Sequence, residues 1–394
     1  MKYLLPILFA FCLFACQRYS DNWEKICDIE NYIESRPDSA LTVLEAIDVE
    51  TLSSNEERAK YALYMSMALD KNYIDKTDFE VLQPAIDYYE DHGSATDKLR
   101  TFYYQGRIFY NMGDAEKTME CLVKSIDLGI ASDNIITKAR NYYLQSSLYV
   151  QYYNREKIIE CSLAAAECYK ALKKYDNYVV MLCRASESYF FLGDTDTANK
   201  YLRECESYID KIASRSKAIY YAMCLAHNYN NLSNDEILNI ISNYLKLVPQ
   251  DEADWVTIAN TYINIGSLTL AKDALSNYHE GYKNDPRYFA ILTQIYKEEG
   301  TYKEALTSYE RFYYLTDSLD CIILEQDTQF VEERHQLEMA TIKEQEKRKH
   351  AITVFVTIIS ILVVIAIWIS GRLRLSKMEK KEKKKEAESY KLLY

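Results

Sequence analysis

The side chains of this chain that could do chemistry stand apart from one another. Its five histidines (His92, His227, His279, His335 and His350) form no His-x-x-x-His pair, and its ten cysteines include no Cys-x-x-Cys. A zinc site needs such local pairing to gather its ligands. No Gly-x-Gly loop, phosphate loop or Gly-x-Ser-x-Gly elbow occurs, so nothing is shaped to cradle a nucleotide or raise a nucleophile. The 59 carboxylates are spread along the whole chain, and none forms a distinguishable acid–base pair. The expectation is a protein that is not an enzyme and holds no cofactor and no metal. Beyond Cys12 and Cys16, the remaining cysteines are 27, 121, 161, 168, 183, 205, 224 and 321. They are expected as small apolar fillers of a packed interior, with disulfides as the alternative if the chain is exported.

With chemistry set aside, the elements come into view. Nine Gly and five Pro in 394 residues, beside 37 Tyr, favour long runs of helix, because Gly and Pro cost a helix most. The net charge is −12, yet the segment 372–394 holds nine Lys/Arg against four Glu. The acidic excess therefore lies in the body, which is poorly suited to neutralising phosphates; no nucleic-acid partner is expected.

A repeat is legible in the body. Trp255-x-x-Ile258-Ala259-x-x-Tyr262 is followed by Gly266 and Ala271-x-x-x-Leu275. Phe289-x-x-Leu292-Thr293-x-x-Tyr296, Gly300 and Ala305-x-x-x-Tyr309 repeat it 34 residues on. The pattern resembles the tetratricopeptide repeat, a helical hairpin of that period. Small residues at Gly106, Ser146, Ser186, Ala226, Ala259 and Thr293 are each followed three places later by an aromatic: Phe109, Tyr149, Tyr189, Tyr229, Tyr262 and Tyr296. The small residue lets two helices approach, and the ring one turn on fills the space between hairpins. Second helices are expected over 116–128, 155–172, 196–209, 235–247, 270–278 and 303–314. Two earlier pairs, 23–34 with 38–47 and 59–69 with 79–89, bring the total to about eight hairpins over 22–316. The fold class is thus all-α, a tetratricopeptide-like solenoid. No hairpin buries its apolar face alone, so each depends on its neighbours.

In tetratricopeptide proteins the first helices line a concave groove that takes peptides. Counted from the small residue, the resemblance puts Arg100, Tyr103, Arg107 and Tyr110 on that face, then Arg140 and Tyr143. Later hairpins contribute Tyr220, His227, Asn230, Asn260, Asn264 and Gln294. Arginine with tyrosine suits an acidic or C-terminal peptide, through charge-assisted bonds to carboxylate and ring stacking. The Lys/Asn carboxylate clamp of some relatives is not reproduced. The alternative is a solvated face with no particular ligand.

The two ends set the expected topology. Met1-Lys2, an apolar run and a small residue before Cys16 read as a secretory signal over 1–16. Leu13-Phe14-Ala15-Cys16 resembles the lipobox of bacterial lipoproteins, which implies lipidation at Cys16. Residues 317–350 carry Ile323, Phe330 and Leu337 at seven-residue spacing, a stalk helix that either pairs two copies as a coiled coil or caps the array singly. Ala351–Gly371 is uncharged for 21 residues, about the length that crosses a bilayer, and the basic tail 372–394 follows as a cytoplasmic stop. This order of parts resembles a group of bacterial tetratricopeptide membrane regulators, whose charged helix leads into a helix-turn-helix output domain; here no such domain is expected after Tyr394. The implied protein sits in the inner membrane with its repeats in the periplasm and its C-terminus in the cytoplasm. It binds a protein or peptide there as a sensor or adaptor in signalling. The alternatives are an envelope assembly scaffold and a glycan-binding lipoprotein, the latter disfavoured by the C-terminal span.

Overall fold

The computed structural model describes residues 19–227, 232–277 and 284–391; the side chains of 319–346, 379 and 382–391 fall outside that description. The signal segment with Cys16, the ring of Tyr229, Asn230 and the stalk positions Ile323, Phe330 and Leu337 therefore lie outside the described residues. Among those described there are sixteen α-helices, two short 3₁₀ turns and no strand. The helices pair in chain order into eight hairpins. These are α1 (Trp23–Ile29) with α2 (Pro37–Glu45), α3 (Asn55–Lys71) with α4 (Gln83–Tyr89), α5 (Ala95–Asn111) with α6 (Ala115–Leu128), and α7 (Ile135–Gln151) with α8 (Arg155–Ala171). Then come α9 (Tyr175–Phe191) with α10 (Thr195–Glu206), α11 (Ser214–Ala226) with α12 (Asn234–Leu247), α13 (Trp255–Asn264) with α14 (Leu268–Ser276), and α15 (Pro286–Glu298) with α16 (Tyr302–Lys391). The architecture is an all-α, tetratricopeptide-like array.

A three-residue turn makes most of these hairpins. Gly113, Gly193, Gly266 and Gly300 all sit at positive φ, between 76° and 83°. The next residue's amide then bonds back to a carbonyl five residues earlier: Asp114 to Phe109, Asp194 to Tyr189, Ser267 to Tyr262 and Thr301 to Tyr296. This left-handed stop closes the first helix. Asp114 and Asp194 at once cap the second helix by accepting from the amides of Lys117 and Thr197, as N-cap carboxylates do. The recurring aromatic is thus the residue whose carbonyl receives the closing bond, which ties it to the helix end. Its ring is fully buried at Tyr149 but only half-buried at Phe109, Tyr189, Tyr262 and Tyr296.

The small residues pack as expected in four of the six copies. A Cβ added to Gly106 would lie 3.2 Å from Leu122 Cδ2 and 3.3 Å from the Cys121 Cβ, so the first helix rests directly on the second. Ser146 and Ser162 share a hydroxyl hydrogen bond of 2.7 Å between α7 and α8. Ser186 donates to the Ala198 carbonyl at 2.9 Å, and Ala259 is fully buried. Thr293 is only half-buried and bonds within its own helix to the Phe289 carbonyl. Ala226 departs from the pattern: α11 ends on it, it is exposed, and the buried alanine of that helix is Ala218.

Both helices are longer in the earlier hairpins: 17 residues in the first helices α5, α7 and α9 against 10 in α13, and 14 and 17 in the second helices α6 and α8 against 9 in α14. One further expectation needs correcting. The last second helix does not stop near Tyr314; it runs unbroken from Tyr302 to Lys391, so no helix end marks the boundaries at 316, 350 or 371. The chain divides into two compact units, one up to Phe330 and one from Val331. In the second unit, the stretch Lys347–Met378 has a mean hydropathy of 3.0 in its most apolar window and none of it is buried.

Buried apolar side chains form three clusters that overlap along the chain, from Ile26 to Cys161, from Ala139 to Cys224 and from Ala218 to Ile295. First helices touch successive first helices, α3 on α5, α5 on α7, and α11 on α13, so the core is continuous from hairpin to hairpin. All seven described cysteines are free thiols, and five of them are buried. Cys183 and Cys205 lie 4.0 Å apart between α9 and α10.

The hairpin of α7 and α8 makes the same turn without glycine. Tyr153 takes φ 54° where its counterparts Gly113 and Gly193 stand, and Asn154 bonds back to Tyr149 and caps α8. A side chain in this region costs about 1 kcal/mol. Tyr153→Gly is therefore expected to stabilise the array by about 1 kcal/mol, less what the Arg155–Tyr153 stacking supplies. Gly113→Ala is expected to destabilise it by a similar amount although its Cβ would meet nothing within 4 Å; urea denaturation of both variants checks the pair.

Candidate ligand-binding face

The face begins with a short stretch of chain after α1. Beyond Ile29 the backbone keeps coiling in consecutive turns, with the Ile33 amide on the Ile29 carbonyl at 2.9 Å and Arg36 on Tyr32 at 2.8 Å. Four-residue spacing in such a coil puts Glu30 and Glu34 on one side. Ile26, Ile29 and Ile33 are fully buried in the first cluster.

Three successive first helices converge on those two carboxylates. From α5, Arg100 Nη1 donates to Glu30 Oε1 at 2.7 Å; from α3, the Tyr64 hydroxyl donates to Glu30 Oε2 at 2.9 Å. From α7, Arg140 grips Glu34 with two parallel bonds of 2.9 and 2.8 Å, and Lys71 at the end of α3 adds a third at 2.8 Å. The fork-on-fork geometry of Arg140 is the strong form of this pair. Burial by itself would raise the Glu34 pKa, but the bonds and charges of Arg140 and Lys71 outweigh it and hold the group down to about 2. Lys71 is pushed down to about 8 by burial and by the neighbouring Arg140, against the pull of Glu34. For Arg140, the hydrogen bonds and nearby charges outweigh the burial that would lower its pKa and keep it firmly protonated.

Next to this network lies a small open cleft between α3, the joint 74–81 and α5, lined by Ser66, Asp70, Lys76, Tyr104, Arg107 and Asn111 among others. Arg107 donates from Nε to Asp70 at 3.0 Å and from Nη2 to the more exposed Asp75 at 3.3 Å. Asn111 holds the joint by donating to the Lys76 carbonyl. Two buried donors of this region, Arg100 Nε and the Tyr104 hydroxyl, have no partner among the described residues.

The residues singled out from the sequence therefore have unequal places. Arg100 and Tyr103 are buried, so neither forms part of an open groove wall; burial pushes the Tyr103 phenol well above its usual range. Arg107 and Arg140 are half-buried and already paired, Tyr110 lies under Arg107, and Tyr143 lies under the Arg184 guanidinium at 5.0 Å. Tyr220 is buried beside Tyr221. Asn260 is half-buried, Asn264 and Gln294 are exposed, and all three sit in later hairpins, away from the arginines. His227 is buried with its ring centroid 4.1 Å from that of Phe190, and neither ring nitrogen has a partner among the described residues. The sequence reading missed Glu30, Glu34, Asp70 and Asp75, the carboxylates that occupy the arginines. Glu30 and Glu34 carried a signal, two acids one turn apart behind three isoleucines at helical spacing.

The fold and this face define a helical-hairpin repeat protein. No protein-family model and no characterised protein sequence matches the chain. Among solved structures it is similar to the apo form of the quorum sensor NprR from B. thuringiensis, at 16% identity and a TM-score of 0.48, over 79% of this chain and 99% of that one. It is similar also to NprR in complex with its cognate peptide NprX, at 15% identity and a TM-score of 0.41, over 68% and 85% of the two chains. A human IFIT1 dimer with PPP-AAAA follows at 17% identity and 0.32, over 75% and 69%. What those proteins bind does not carry over at these scores.

The buried His227 gives a pH test. Desolvation lowers its pKa to about 4 from 6.5, so the unfolded chain takes up a proton first. Its contribution is whole above pH 6.5 and is lost as the pH falls towards 4, by at most about 3 kcal/mol. Glu34 adds a loss of the same sign only below its ordinary 4.5. His227→Leu is expected to flatten the melting temperature between pH 6.5 and 4.5; an unchanged slope in that window would remove the assignment.

Proposed function

We propose that this chain is a membrane-anchored sensor or adaptor, with its helical-repeat array outside the cytoplasm and capturing protein or peptide partners. The observation that carries the reading is that α3, α5 and α7 together grip a short acidic stretch of polypeptide, residues 30–34, through Tyr64, Lys71, Arg100 and Arg140. A surface that holds one peptide segment by its carboxylates has the chemistry to hold another. The anchoring half of the reading rests on Lys347–Met378, an uncovered apolar helix stretch long enough to cross a bilayer. The basic tail beyond it favours a cytoplasmic C-terminus by the positive-inside rule. Cys16 would add a lipid at the other end, and the helix between the array and the apolar stretch would pair two copies or hold one away from the bilayer.

Paired reporters test the topology. An enzyme that works only after export is expected to be active when fused after Glu346 and silent after Tyr394, and one that works only in the cytoplasm is expected to show the reverse. Export-type activity after Tyr394 would overturn the orientation.

A further inference from the structure

We infer that Lys71, Arg100 and Arg140 form a docking site for an acidic amphipathic helix, and that residues 26–34 of this chain occupy the site in cis until such a partner displaces them. The inference deepens the proposed capture function and rests on it.

The first observation is reach. In a solenoid each hairpin meets its neighbours, and a terminal cap for this array needs contact only with α3. Instead, Glu30 pairs with Arg100, 70 residues on, and Glu34 with Arg140, 106 residues on, in the third and fourth hairpins. The segment thus lies across three first helices, as a peptide would in a groove.

The second observation is pattern. Ile26, Ile29 and Ile33 make the buried stripe, and Glu30 and Glu34 make the charged one. Apolar anchors at helical spacing flanked by acids are the pattern of a helix that docks in a groove. The partner is therefore defined by its chemistry: a helix with apolar residues at i, i+3 and i+7 and carboxylates at i+4 and i+8.

The third observation is that the occupant is held from outside and not by its own helix. Helix α1 has seven residues, and Asn22 makes no capping bond. So short a helix has little stability of its own. The fit is also incomplete, because Arg100 Nε and the Tyr104 hydroxyl stay buried without a partner among the described residues, two donors that a fuller acidic ligand would satisfy.

The test uses the full chain in detergent micelles and a fluorescent peptide with the sequence of residues 23–35. Glu30→Gln with Glu34→Gln weakens the cis occupant and is expected to raise the affinity for this peptide by about tenfold over the unaltered chain, because an occluded site binds in proportion to its open fraction. A peptide carrying the same two Gln changes is expected to lose that binding, and Arg140→Glu in the doubly altered chain to abolish it. A folded double variant with no gain in affinity would show residues 26–34 to be a fixed cap and overturn the inference. If the double variant does not fold, amide exchange of 29–36 in the unaltered chain decides: excess peptide is expected to speed it, and no change overturns the inference. Partner capture through other hairpins and the reporter topology would survive that failure, which keeps the two readings distinguishable.

Discussion

A helical hairpin has two apolar faces and can cover only one of them with its own second helix. Every other contact must come from the hairpin before or after it, and this constraint governs the chain. It explains why the first helices stack on one another, why the three buried clusters overlap along the sequence, and why the turns must be tight. A three-residue turn with a left-handed residue and an immediate N-cap holds the helices of a pair together without a longer loop to order. The structure keeps that turn even where it lacks glycine, at Tyr153.

Among the described residues, no hairpin precedes the one formed by α1 and α2. The chain lays the end of α1 and the turn after it over the following first helices, burying three isoleucines and presenting two glutamates. The arginines from which a binding face was read are therefore not idle. Arg100 is buried, and a buried guanidinium needs a paired carboxylate, since an unpaired one would cost several kcal/mol. Glu30 supplies that pair for Arg100. Long-range ion pairs here do what nearest-neighbour packing cannot, which is to link the first hairpin to the fourth.

What was legible in the sequence follows from what is local. The hairpin count, the glycine turns and most second helices rest on residues a few places apart, and Trp255–Tyr309 states the pattern openly. The reading slipped at Ala226, where spacing alone continued a series that the helix itself does not, because α11 has 13 residues and not 17. It also ended the last helix at Tyr314, although no proline and only one glycine, Gly371, stands between Tyr302 and Lys391 and the helix continues. For the face, it found Arg100, Arg107 and Arg140 but not their partners. Charge pairing across 70 or 106 residues leaves no periodic trace, and Glu30 and Glu34 looked like two more acids in an acidic body.

The coupling between Glu34 and Arg140 tests this most directly. A double-mutant cycle with Glu34→Gln and Arg140→Met, read by urea denaturation, isolates their interaction. A half-buried bidentate pair predicts a coupling of about 1 kcal/mol after solvent screening, with Lys71 left in place. Additive effects of the two substitutions would contradict it, and would mean that the first hairpin does not rest on the fourth.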